Sequence, residues 1–210
     1  MMRFTSSALL VFVFLSVSCS RNIPIRMEFV LGTVCSVNLF ERGKAAEYDA
    51  IFARLREIQA VMSANIEGTD LDAINKNAGI RAVAVPKELL EVLEAAQRYA
   101  ELSGGAFDPT IGPLVKLWGI GGEDPRIPGT DEIGAALSLV DWQDLVIDRD
   151  AGTAFLRRPG QSLDLGAIAK GYAADQAAAI LPKNRRAIID LGGNIFALGE
   201  RSGNESWRIG

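Results

Sequence analysis

One run constrains this chain more than any other: Ser103-Gly104-Gly105-Ala106-Phe107-Asp108-Pro109-Thr110-Ile111-Gly112-Pro113-Leu114. The glycine pair allows positive φ and close backbone approach. Pro109 fixes its own φ and biases Asp108 away from the helical region. A single carboxylate is thus delivered on a stiff turn. Two further segments set Asp beside Gly: Leu163-Asp164-Leu165-Gly166 and Ile189-Asp190-Leu191-Gly192-Gly193-Asn194. Taken alone, each reads as an ordinary turn capped by Asp. Together they suit a site for a phosphorylated ligand with a hard cation.

The chain has no histidine. Ser-His-Asp and Cys-His catalysis, His-ligated zinc and imidazole bases are therefore excluded. Proton transfer falls to carboxylates, Lys, Tyr or metal-bound water. A carboxylate and carbonyl donor set favours Mg²⁺ or Ca²⁺ over softer metals. With a net charge of −4, 7% aromatics and no basic block, nothing is built for a nucleic-acid backbone. The 210 residues, 49% hydrophobic, suffice for one sizeable core or two small ones.

Residues 1–18 read as a signal peptide. Arg3 is its positive region, and Ala8 to Leu15 is an apolar core too short to span a bilayer. Ser18-Cys19 then resembles the end of a bacterial lipobox, although Ser16 stands where Leu is usual. Cleavage before Cys19 would put lipid on that residue, and several acyl chains would anchor it stably. The alternative is ordinary secretory cleavage beside an incidental Cys. The expected location is the bacterial cell membrane, lipid-anchored on its periplasmic or extracytoplasmic face. Residues 19–26 form a tether and 27–210 the domain. Cys35 sits in an alternating strand pattern with no basic neighbour, and reads as a small buried apolar side chain.

Periodicity predicts strands at Met27–Leu31 and Val34–Phe40 and a helix over Ala45–Met62. Thr69 caps a short helix, Val83–Val85 is a strand, and Pro86 opens a helix to Leu102. Helices follow at Ile111–Trp118 and Asp131–Leu139, then a hairpin of Leu145–Ile147 with Ala154–Leu156. A helix from Ala167 to Leu181 puts Lys170 near free N–H groups, where it could hold an anion or simply be solvated. Ala187–Leu191 and Ile195–Leu198 are strands, and Ser206–Gly210 looks like the start of another. The chain stops there, which reads as a fragment or a shortened gene product.

In this order, Leu31-Gly32-Thr33, Met62-Ser63-Ala64-Asn65, the run from Ser103 to Gly119, the run from Leu163 to Asp175, and Asp190-Leu191-Gly192-Gly193-Asn194 resemble the ApbE family of FAD:protein FMN transferases. The resemblance implies an α+β fold, a mixed β-sheet core with packed helices, here incomplete at its C-terminus. It implies Mg²⁺-dependent cleavage of FAD, release of AMP, and attachment of FMN through a phosphoester to a Thr or Ser of an acceptor protein. Such chemistry needs charge stabilisation and in-line positioning more than a strong base. Carried over, it implies FAD contacts at Ala106, Phe107, Asp108, Asp164 and Lys170. Leu31 falls where many members have Met beside the flavin nucleotide, and the Ala167 carbonyl helps to hold the metal. No residue is assigned as catalytic.

Two departures matter. The family's Asp-and-Thr metal motif has no counterpart before Gly210. Asn65 stands where many members place an aromatic residue, and Asn cannot stack on adenine. The second departure points toward hydrolysis of FAD to FMN and AMP as a further activity. The first supports an alternative: a non-catalytic flavin-nucleotide-binding lipoprotein, or an inactive fragment.

Overall fold

The computed structural model describes residues 25–40, 43–122, 124–183, 185–200 and 205–209. Cys19, the signal peptide and most of the tether lie outside these residues. Two antiparallel sheets with helices packed on them realise the expected α+β class.

The larger sheet has the order β1-β2-β6-β7, from Arg26–Val30, Thr33–Asn38, Ala187–Leu191 and Asn194–Leu198. Its inner face carries Cys35, Val37, Ala187, Ile189 and Leu191, all buried. Against it lie α1, Ala45–Met62, and α6, Ala169–Ile180. Helix α1 buries Tyr48, Ile51, Phe52, Leu55, Ile58 and Met62, a stripe at three-four spacing. The Tyr48 hydroxyl accepts the Leu39 N–H at 3.1 Å, which fixes the end of β2. Strand β1 reverses the usual alternation. Arg26 pairs with Glu28 and with Asp49 of α1, and Arg56 of α1 pairs with Glu28. The outer face exposes Met27, Phe29, Val34 and Ile195 instead. Charges that cannot be turned outward without losing partners fix the register of this edge strand.

The smaller sheet has the order β3-β5-β4, from Val83–Ala84, Thr153–Leu156 and Leu145–Asp148. It packs against α2, Asp70–Lys76, and α3, Lys87–Leu102. Thr69 caps α2 as expected, accepting the Asp72 N–H at 3.0 Å. Helix α4, Gly112–Trp118, packs on α5, Thr130–Leu137. Between α5 and β4 lies a 3₁₀ turn, Trp142–Asp144, which periodicity did not reveal. Arg54 of α1, Glu88 of α3 and Tyr172 and Gln176 of α6 share one hydrogen-bonded cluster that ties three helices together.

Two expectations need correction. Helix α6 begins at Ala169 and not at Ala167, because the Leu165 carbonyl accepts both the Ile168 and Ala169 N–H groups in a preceding turn. Residues 206–209 form no strand. Trp207 instead lies 5.1 Å from the Phe40 ring and donates its indole N–H to the Gly199 carbonyl at 2.7 Å.

Candidate functional site

A strap of chain, residues 161–168, lies between the two sheets in sequence and runs into α6. It is held from two sides. On one side Ile111 and Ser162 form a parallel bridge, Gly112 N–H donates to the Ser162 carbonyl at 3.1 Å, and Asp164 N–H donates to the Pro109 carbonyl at 2.9 Å. Gly112 is required there: a Cβ would sit 2.5 Å from the Ser162 carbonyl oxygen. On the other side Asn75 of α2 holds Leu163, donating to its carbonyl at 3.1 Å and accepting its N–H at 2.7 Å.

The strap borders two hollows. A cavity of about 170 Å³ is lined by Asn65, Asn75, Lys116, Ser162 and Asp164, with the glycine loop of residues 119–122 across it. The structure therefore brings Asn65 and Asp164, 99 positions apart in sequence (164 − 65), to one cavity. A second hollow, about 410 Å³ and mostly apolar, is lined by Tyr99, Leu102, Ser103, Phe107, Ala167 and Ile168. Phe107 and Ala167 meet there. Ala106 is exposed on the turn just before it.

Asp108 is placed differently from Asp164. Its Oδ1 accepts the Thr110 N–H at 2.7 Å and the Thr110 hydroxyl at 2.6 Å. Its Oδ2 accepts the Trp142 N–H at 3.0 Å. The Thr110 hydroxyl, fully buried, also accepts the Asp141 N–H at 2.8 Å. Asp108 is thus a clamp that locks the 108–110 turn onto the 3₁₀ turn, with both oxygens engaged by the chain. Gly104 and Gly105, at φ 61° and 84°, supply the left-handed turn that leads into it. Asp164 keeps more capacity: Oδ1 accepts the Gly166 N–H at 2.8 Å, and no described residue donates to Oδ2.

Lys170 lies in the first turn of α6 and folds back so that Nζ donates to the Gly166 carbonyl at 3.0 Å. An ammonium beside the positive end of a helix gives a focus for an anion. Lys170 and Asp190 also act on Cys35. Burial is the main cause that pushes its thiol up to about 11; Asp190 adds to the shift and Lys170 opposes it. Cys35 is buried, as its sequence context implied.

Leu31 lies in neither hollow. It forms, with Gly32, the two-residue turn between β1 and β2, at φ 56° and 70°. Two positive values suit the hairpin type that normally takes Asn-Gly. A leucine held there carries strain of about 1–2 kcal/mol. What holds it is Gln59 of α1, whose side-chain oxygen accepts the Leu31 N–H at 2.6 Å. The turn of residues 192–193 abuts Thr33 closely, a Cβ on Gly192 lying 2.5 Å from its hydroxyl. The Leu-Gly-Thr and Asp-Leu-Gly-Gly-Asn segments therefore meet at one end of the sheet. Asn75, Gln59, Lys116 and Thr110 were not singled out from sequence. Asn75 and Gln59 find their partners, Leu163 and Leu31, 88 and 28 residues away, too far for local spacing to show.

Among the described residues no cluster of three or more Cys, Asp or Glu groups is disposed to hold a metal ion. Ala167 borders the larger hollow, but a single carbonyl there would fall short of the six oxygens that Mg²⁺ prefers.

Residues 31–210 match the model of the ApbE family. A relative from Treponema pallidum, named FAD:protein FMN transferase, is 40% identical over 190 residues, spanning 85% of this chain and 52% of its own. One of the same name from Klebsiella pneumoniae is 33% identical, over 86% of this chain and 56% of its own. The crystal structure of the ApbE protein of Thermotoga maritima superposes with a TM-score of 0.77 at 31% identity, covering 86% of this chain and 60% of that one. The flavin transferase ApbE of Vibrio cholerae gives 0.79 at 26% identity, covering 89% and 62%. The chain thus spans between half and two thirds of the length of these relatives.

Proposed function

We propose that this chain, which belongs to the ApbE family, forms the nucleotide-binding part of an FAD:protein FMN transferase. The observation that carries this reading is the strap: it sets Asp164 beside Asn65 in one cavity, and leads directly into Lys170 at the start of α6. In the reaction, a Thr or Ser hydroxyl of an acceptor protein bonds to the phosphorus of the FMN half. The bond from that phosphorus to the bridging oxygen breaks, AMP leaves, and the hydroxyl proton is lost. Lys170 and the helix N-terminus would offset charge on the phosphates. Asp164 would orient the nucleotide through its unengaged oxygen. Magnesium would supply Lewis-acid stabilisation of the leaving phosphate, and it requires ligands besides those described.

Asn65 favours a second reading, hydrolysis of FAD. Its side chain borders the cavity without an aromatic face, so a bound adenine lacks a stacking partner worth about 1–3 kcal/mol. Water would then take the place of the acceptor hydroxyl. Cys19, if acylated, would hold the domain at the membrane on the extracytoplasmic side; loss of detergent-phase partitioning in Cys19→Ala tests this. The main experiment follows AMP and FMN released from FAD, with and without an acceptor protein, in Mg²⁺ and in EDTA. Covalent FMN on the acceptor supports transfer, and free FMN equal to AMP supports hydrolysis. Flavin binding without any AMP would leave the binding-only alternative standing.

A further inference from the structure

We propose that Asn75 is the positioning residue of the nucleotide site, holding the Leu163 peptide from both directions and so fixing the Asp164 carboxylate at its cavity. The inference rests on the reading of Asp164 as a nucleotide-binding group. Leu163 is fully buried, so its peptide has no water to turn to. The Asn75 amide takes both of its polar atoms, N–H at 2.7 Å and carbonyl at 3.1 Å. A primary amide presents a donor and an acceptor side by side, as a neighbouring strand would. The next residue, Asp164, has its own N–H fixed by Pro109 at 2.9 Å. The strap is therefore gripped at consecutive peptides from opposite sides, and the Asp164 side chain departs from a fixed backbone.

The grip also couples two parts of the site. Asn75 lies at the end of α2, and Thr69 at its start donates its hydroxyl to the Ser63 carbonyl at 2.7 Å. Ser63 and Ala64 lead to Asn65. One short helix thus spans from the Asn65 loop to the Asp164 strap, and Asn75 lines the same cavity.

The test is FAD affinity of the full chain, read by flavin fluorescence, for wild type, Asp164→Ala, Asn75→Ala and Asn75→Asp between pH 8 and pH 5. Folding of each variant is checked by circular dichroism. Asn75→Ala should weaken FAD by about tenfold, since a buried peptide is left unpaired. Asn75→Asp keeps the acceptor but loses the donor and sets a carboxylate against the Leu163 carbonyl. It should bind weakly at pH 8 and recover toward wild type on acidification, when the protonated acid again donates. Lys116 from α4 and Asp164 from the strap line this cavity in wild type too, and Asp72 and Lys76 pair with each other on α2, so the ratio to wild type at each pH isolates the new carboxyl. A purely packing role for Asn75 would give no such pH profile. If Asp164→Ala loses FAD while Asn75→Ala stays within about twofold of wild type, the Asn75 proposal is wrong and the nucleotide reading stands. If Asp164→Ala binds like wild type, both fall. Should Asn75→Ala fail to fold, an Asn75→Asp ratio that stays flat with pH overturns the proposal by itself.

Discussion

Replacing Asp108 by Ala separates a clamp from a ligand contact. The carboxylate accepts three donors: two from Thr110, at 2.6 and 2.7 Å, and the Trp142 N–H at 3.0 Å. Hydrogen bonds to a charged acceptor contribute about 1.5–3 kcal/mol each. The three are not additive, because the two from Thr110 share one oxygen and break together. Water also reaches the half-exposed carboxylate, so part of the loss is recovered. The Thr110 hydroxyl, fully buried, keeps one partner in Asp141. The net cost should be about 3 kcal/mol. For a domain of 150–250 residues, at roughly 2–4 °C per kcal/mol, Tm should fall by about 6–12 °C. Asp108→Asn keeps an acceptor for Thr110 but presents an NH₂ group to the Trp142 N–H, and should lie between the two. The assay is thermal denaturation followed by tryptophan fluorescence, with FAD affinity measured well below the transition. The reasoning fails if Asp108→Ala unfolds at the wild-type midpoint while FAD binding is lost. That result would mean the carboxylate turns to the ligand and that the clamp is dispensable.

Leu31→Asn should raise stability by about 1 kcal/mol, since Asn tolerates the left-handed turn better, and should weaken FAD binding if Leu31 touches the flavin nucleotide. Paired thermal melts and FAD titrations check both halves; an unchanged affinity removes Leu31 from the site. Cys35 gives a pH prediction. Its folded pKa of about 11 lies above the unfolded value of 9.0, so the folded state holds the proton more tightly. Stability is therefore full below pH 9 and should decline between pH 9 and 11, by about 2–3 kcal/mol at most. Cys35→Ala should lack that decline, and native Cys35 should resist alkylation at pH 8 until the protein is denatured.

Legibility in the sequence followed distance along the chain. Helix α1 was read to its ends, because the stripe from Tyr48 to Met62 repeats within every turn. Thr69 and the hairpin of β4 and β5 were equally plain, since a cap and a turn are encoded within a few residues. The start of α6 was misread by two residues because Leu165 builds a separate turn that propensity does not distinguish from helix. The site was legible as a set of motifs and not as an arrangement. Asp108 and Asp164 carry the same Asp-and-Gly wording, yet one has both oxygens engaged by Thr110 and Trp142 and the other retains an oxygen to which no described residue donates. Only the partners of each carboxylate, 34 residues away for Trp142, separate these roles.

The bond pair between Asn75 and Leu163 closes a loop of 88 residues. Closure entropy grows with the logarithm of loop length, and contacts of long separation tend to form late. A partly folded chain, with α1 and α2 already made, would therefore have no nucleotide site. The site comes into being only once this closure is made. A nucleotide that binds only the closed form at a hundredfold excess over its Kd would stabilise it by about 2.7 kcal/mol. Flavin in the growth medium would then act on the yield of folded protein, and the bound fraction would count the molecules that have made this closure.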